Sequence, residues 1–223
     1  MPRPKLSATL RDFAGFRPAK SLGPASVRGC PSGDGGPVLV LPGILHGDGQ
    51  TEQFRACLQM LGYTPLPWEL GVNVGPTPVT MEKIGARVSI LAQRYGKLRL
   101  VGFSMGGLFA RWIAQSRSLS VAQVITICAP FRDPLNSAWI PLGTFKPFWQ
   151  GLDVSGLSFM MRQTPLQPWA ALYSRKDGVV AWQSCLDPQA PAHCFDVAVR
   201  HRTAMREEAV FRQVAACLAD VRK

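Results

Sequence analysis

Val38-Leu39-Val40-Leu41 is an uninterrupted apolar run closed by Pro42-Gly43, the pattern of a strand buried on both faces. Behind it the spacing predicts a helix around Glu52–Leu61, a weaker strand from Leu66 to Leu70, and a loop from Gly71 to Pro78. Ile84, Val88, Leu91 and Tyr95 then recur at helical spacing after Thr80, a candidate N-cap. Leu98, Leu100 and Val101 predict another buried strand, and Leu108 to Gln115 a helix. Val121–Cys128, Trp169–Tyr173 and Phe195–Val199 read as further strands, while Val210, Val214, Cys217, Leu218 and Val221 line one face of a final helix. Strands alternating with helices predict an α/β fold, a mostly parallel sheet of about six strands covered on both faces. Ligands of such sheets sit beyond the carboxyl ends of the strands.

Two stretches depart from this rhythm. Residues 1–36 are rich in proline, glycine and basic side chains and form an arm before the main domain, residues 37–223. Within the arm Leu6, Leu10, Phe13 and Phe16 are spaced to line one face of a short helix; packing on the domain is favoured over anchoring at a membrane surface. The second stretch, residues 131–168, is too long and too apolar for a plain connection. It is read as a small cap over an apolar pocket, with Trp139, Phe145, Phe148, Trp149, Phe159 and Met160 as candidate substrate contacts.

Composition narrows the function classes. The 223 residues suit one substantial core, and the 47% hydrophobic and 17% charged content is that of an ordinary globular domain. A net charge of +11 raises the question of nucleic acid, but the basic residues are dispersed and no aromatic-interleaved basic motif occurs. The charge is expected to give at most weak attraction to an anionic membrane surface or to anionic substrates. No apolar run is long enough to span a bilayer, and the amino-terminal residues lack a secretory pattern, so a cytoplasmic location is expected. The six cysteines are scattered without a C-x-x-C pair, so neither a metal site nor a cofactor is expected. Cys185 and Cys194 could meet across a loop, although free thiols are the expectation.

The chemistry centres on Gly102-Phe-Ser104-Met-Gly106, at the junction of a predicted strand and helix. A turn that tight holds the serine in a strained backbone conformation, and side chains at the flanking positions would collide with the neighbouring elements. The hydroxyl is thereby exposed at the top of the sheet, beside the positive end of a helix. A phosphate-binding loop would want a lysine in or after the glycines, and none follows.

Such a serine needs a base. Of the three histidines, His201 follows the last predicted strand at its carboxyl end and is the first choice. His46, in the loop after the first strand, is the second, and His193 at the opposite end is read as structural. Asp177, after Trp169–Tyr173, is the preferred carboxylate partner, with Asp133 the alternative and Asp187 less well placed. Backbone amides of Met105 and of Ile44, with Leu45 as fallback, are the candidate oxyanion donors.

Val-Leu-Val-Leu-Pro-Gly-Ile, Gly-Phe-Ser-Met-Gly-Gly, Tyr-Ser-Arg-Lys-Asp-Gly-Val-Val and Val-Arg-His occur in the order seen in the α/β-hydrolase superfamily, which residues 37–223 resemble. The pattern is similar to small bacterial esterases and lipases, and Trp68-Glu-Leu-Gly-x-Asn-x-Gly-Pro76 also resembles a segment of a lipase-like subgroup. The resemblance implies Ser104, Asp177 and His201 as a triad, Ile44 and Met105 as oxyanion donors, and a small-molecule ester with an apolar acyl chain as substrate. Many relatives have His-Gly where this chain has Pro42-Gly43, and the sheet is shorter than the usual eight strands. The same residues would also serve an acyltransferase or thioesterase; a non-catalytic binding protein on this fold is the weaker rival.

Overall fold

In the computed structural model the described residues are 4, 6–14, 21–138 and 151–220, with only the backbone described at 11, 13 and 14. The strands are β1 (Pro37–Leu41), β2 (Thr64–Leu66), β3 (Leu98–Phe103), β4 (Val121–Ile127), β5 (Trp169–Tyr173) and β6 (Cys194–Asp196). The helices are α1 (Leu6–Ala14), α2 (Pro24–Val27), α3 (Asp48–Met60), α4 (Pro78–Tyr95), α5 (Met105–Ser116), α6 (Val154–Arg162) and α7 (Glu208–Ala219).

The period-two geometry of a strand sends the leucines and valines of β1 to opposite faces. Leu39 and Leu41 pack with Leu98 and Leu100 against Ile84 and Val88 of α4 and Leu108, Phe109 and Ile113 of α5. Val38 and Val40 join Val101, Phe103, Ile125 and Ile127 against Phe54 and Leu58 of α3 and Val210, Phe211 and Val214 of α7. Each face is therefore dry, as the unbroken apolar runs predict. The sheet has six strands, all parallel, in the order β2-β1-β3-β4-β5-β6. The chain steps outward from β1 to β2 and then crosses back to β3. That reversal opens a crevice at the carboxyl ends of β1 and β3, the place where parallel sheets bind ligands.

Element boundaries shift where side chains intervene. The second strand ends at Leu66, because the Asp48 carboxylate accepts the amides of Trp68 (2.8 Å) and Glu69 (2.9 Å) and turns the chain there. Thr77, not Thr80, caps α4: its hydroxyl accepts the Thr80 amide at 3.0 Å, and Pro78 fills the first helical position. The last strand covers Cys194–Asp196 and stops short of Val199, because the Asp196 side chain accepts the Ala198 amide at 3.0 Å and Ala198 turns to φ 50°.

The cap region is described in part, and Trp139, Phe145, Phe148 and Trp149 lie outside the described residues. Its helix α6 lies on α5 and is held there by Arg111, a fully buried side chain of α5. Arg111 donates to the Met161 carbonyl (Nε, 2.6 Å), the Gln163 carbonyl (Nη2, 2.6 Å) and the Arg162 carbonyl (Nη2, 3.3 Å). These are carbonyls at and just beyond the carboxyl end of α6, which a helix leaves unsatisfied and a cation suits. The guanidinium also lies 3.9 Å above the Phe131 ring, and burial pushes its pKa down to about 10.

A close backbone approach joins β1 and α5. A Cβ built on Gly106 would lie 2.2 Å from the Leu41 carbonyl oxygen and 2.7 Å from that of Pro42. Gly106→Ala is expected to cost roughly 1–3 kcal/mol or more of stability, since both contacts are backbone. Urea unfolding measures this, and a loss under about 0.5 kcal/mol, the usual effect of a surface substitution, would contradict the packing described.

Candidate active site

The turn between β3 and α5 presents Ser104 with φ 52° and ψ −117°, a strained conformation for a residue with a side chain. It is pinned by the Ser104 amide donating to the Ile127 carbonyl at 2.8 Å. Gly102 must be glycine because a Cβ there would lie 2.3 Å from the Gly106 carbonyl oxygen. The hydroxyl points at His201: Ser104 Oγ and His201 Nε2 are 3.1 Å apart. His201 opens a 3-10 turn, His201–Arg206, several residues beyond β6 rather than at its end.

Asp177 lies in the loop after β5 and is buried. Its Oδ2 is 2.7 Å from His201 Nδ1, and its Oδ1 accepts the amides of Val179 and Val180, each at 2.8 Å. The carboxylate is therefore held on both oxygens. The Ser174 hydroxyl below it donates to the Val199 carbonyl, which ties the Asp177 loop to the segment entering His201. The Phe103 ring packs beside the imidazole at 4.9 Å between centroids.

Burial alone would push the His201 pKa down. The Asp177 charge, its hydrogen bond and the charge of Asp12 more than offset this, and the imidazole is held above its ordinary value. The dominant partner is the buried Asp177, and charge interactions are strong in such a site.

The loop after β1 reaches the same point. Gly43 N–H donates to Gln50 Oε1 at 2.8 Å, and Leu45 N–H to the Asn73 carbonyl at 2.7 Å. The Leu45 amide is thus engaged, while those of Ile44 and Met105 have no acceptor among the described residues. Asn73 is fully buried, and its side-chain amide donates to the Pro42 carbonyl at 2.9 Å, which clamps this loop. The segment around Trp68–Pro76 was recognisable in the sequence, but this clamping contact was not.

The remaining candidates fall elsewhere. His46 is exposed and donates from Nδ1 to the Ile44 carbonyl at 2.8 Å. His193 stacks on Trp169 and donates to its carbonyl at 3.0 Å. Asp133 accepts from Asn136 at 3.1 Å and lies 4.0 Å from Arg162 of α6. Asp187 forms a local turn with Gln189. Cys185 and Cys194 are free thiols.

Beside Ser104 an apolar cleft of about 270 Å³, counting its open mouth, is lined by Met105, Leu108, Pro134, Leu135, Leu157 and Met161, among others. Phe159 is 64% exposed, and neither it nor Met160 lines the cleft, because α6 turns Val154, Leu157, Ser158 and Met161 inward at helical spacing. That periodicity is legible in the sequence and outweighs the bulk of the aromatic side chain.

Among the described residues, the ligating atoms of Cys128, Asp177 and His201 lie within 4.8 Å of one another. The group fits a metal poorly. Asp177 and His201 already bind each other, and burial holds the Cys128 thiol well above its usual pKa, hence protonated.

No family model and no curated protein matches the chain. Solved structures do. It is similar to the metagenome-derived lipolytic enzymes LipS and LipT (16% identity, TM-score 0.63, covering 86% of this chain and 96% of that one). It is also similar to the Bacillus licheniformis lipase BlEst2 (14%, 0.58, 84% and 94%) and to a thioesterase domain from the curacin biosynthetic pathway (13%, 0.55, 84% and 93%). Likeness at these identities establishes the fold: six parallel strands with helices on both faces, the α/β-hydrolase fold.

His201 is expected to titrate above about 6.5, the ordinary imidazole value. A raised folded-state pKa gives a stabilising contribution that is full below the unfolded value and lost as pH rises through the folded one. NMR titration of the imidazole checks this; Asp177→Asn should move the midpoint down, and an unchanged midpoint in that variant would contradict the pairing.

Proposed function

We propose that the chain is a serine hydrolase of carboxylic esters with apolar acyl groups, acting through an acyl-enzyme on Ser104. One observation carries the reading: Ser104 Oγ, His201 and Asp177 form a continuous hydrogen-bonded series, 3.1 and 2.7 Å, at the crevice where the strand order reverses.

In this mechanism His201 Nδ1–H donates to Asp177, which fixes the tautomer that leaves Nε2 free to accept. Ser104 attacks the ester carbonyl as its proton passes to Nε2. The tetrahedral oxyanion accepts hydrogen bonds from the amides of Ile44 and Met105, the latter at the first turn of α5 where the helix dipole adds to the field. The imidazolium then protonates the departing alkoxide. Water, deprotonated by the same nitrogen, attacks the acyl-enzyme and releases the acid. Neither metal nor cofactor enters any step.

The apolar lining of the cleft beside Met105 supports an acyl chain over a sugar or peptide.

A p-nitrophenyl ester series from two to sixteen carbons tests the reading. Medium chains are expected to exceed acetate, and Ser104→Ala to reduce turnover by about three to six orders of magnitude. Retention of most activity in Ser104→Ala would refute the assignment, and acetate turned over as well as medium chains would refute the apolar pocket. Leu157→Trp, which fills the cleft from α6, should shift the optimum toward shorter chains; an unchanged optimum would place the acyl group elsewhere.

A further inference from the structure

The amino-terminal arm meets the site from the side opposite to the one its pattern suggests. Leu6 and Leu10 of α1 are 65% and 58% exposed, whereas Thr9 and Asp12 on the other face are buried. Asp12 pairs with no basic side chain among the described residues. It accepts three backbone amides: Gly178 N–H at 2.9 Å and His201 N–H at 3.1 Å, both on Oδ2, and Arg202 N–H on Oδ1 at 3.3 Å. Gly178 follows Asp177, so one carboxylate oxygen holds both the loop that carries the acid and the first residue of the turn that carries the base. The contact is close: a Cβ on Gly178 would lie 2.3 Å from the Ala8 carbonyl oxygen and 2.9 Å from Asp12 Cβ.

From this geometry we infer that Asp12 is a positioning residue for the Asp177–His201 pair, and that α1 is part of the active site's framework rather than a separate arm. A buried carboxylate is costly unless its hydrogen bonds are filled, and here all three donors are main-chain groups of catalytic loops. A second carboxylate close to His201 also supports its protonated form. The groups that face the imidazole are Asp177 from the loop after β5, Asp12 from α1, Cys128 from the end of β4 and Ser104 from the turn before α5. The Cys128 thiol is held neutral, so the two aspartates set the local charge. Nothing in the first leucine-rich turn of α1 signalled this contact; an aspartate three residues after Thr9, on the face away from the leucines, is the only trace in sequence.

The inference rests on the serine-hydrolase reading for its kinetic part and on His201 geometry alone for its spectroscopic part. Two full-length variants test it. Asp12→Asn keeps a carbonyl for Gly178 and His201 but removes the charge and opposes an amide to Arg202 N–H. Gly178→Ala leaves the carboxylate intact and wedges α1 away from the loop. In both, the His201 midpoint by NMR is expected to fall, and the acid limb of kcat/KM to move to lower pH with it. kcat should drop roughly 10- to 100-fold with KM nearly unchanged, as for a misplaced catalytic group. A general loss of folding would reduce active protein without moving either midpoint, so thermal unfolding is followed in parallel. If Asp12→Asn does not fold, Gly178→Ala decides. Folded variants with wild-type His201 midpoint and acid limb would overturn the inference. If the wild type hydrolyses no ester, the hydrolase reading fails, and the NMR midpoint still tests the role of Asp12.

Discussion

The turn from Phe103 into Met105 works only because two backbones nearly touch. Gly102 faces the Gly106 carbonyl, and Gly106 faces the carbonyl of Leu41, at distances where a methyl group does not fit. This approach draws β1, β3 and the start of α5 to one point and forces Ser104 to a positive φ. Everything chemical is arranged around that point. The loop after β1 brings the Ile44 amide, the helix start brings the Met105 amide, and the hydroxyl is left in the crevice between them. Strain at Ser104 is sustained by two dry core faces and by the hydrogen bond to Ile127.

His201 and Asp177 come from the other half of the sheet, where the elements are short and the backbone irregular. β6 covers only Cys194–Asp196, and the path to His201 passes through Ala198 at φ 50°. Regular structure cannot hold such a segment, so polar contacts do: Ser174 to Val199, Asp177 to Val179 and Val180, and Asp12 to Gly178 and His201. Over the crevice, Arg111 fastens α6 onto α5 through the carbonyls around the helix's carboxyl end. A charged side chain far from solvent thus sets where the cleft wall stands.

The parallel sheet and the glycine-flanked serine were legible because unbroken apolar runs and tight glycine spacing have few other structural solutions. Asp177 follows β5 as its position in the sequence suggests, whereas His201 lies several residues beyond β6 and not at a strand end. Three features were not legible. The boundaries of β2 and β6 are set by Asp48 and Asp196 side chains, which periodicity does not register. In the cap the i, i+3, i+4, i+7 positions of α6, and not the bulkiest side chains, mark the residues that line the cleft: Val154, Leu157, Ser158 and Met161. In α1 the apolar face pointed to Leu6 and Leu10, yet the buried contacts belong to Thr9 and Asp12, because three unsatisfied amides outweigh two leucines as a docking partner.

The central claim is that Ser104 is an activated nucleophile. Incubation with a fluorophosphonate, followed by intact mass and peptide mapping, addresses it without reference to any substrate. A single adduct on Ser104, formed much more slowly in His201→Ala, is the result this account predicts. No adduct on folded protein, or an adduct on another residue at an undiminished rate in Ser104→Ala, would contradict it.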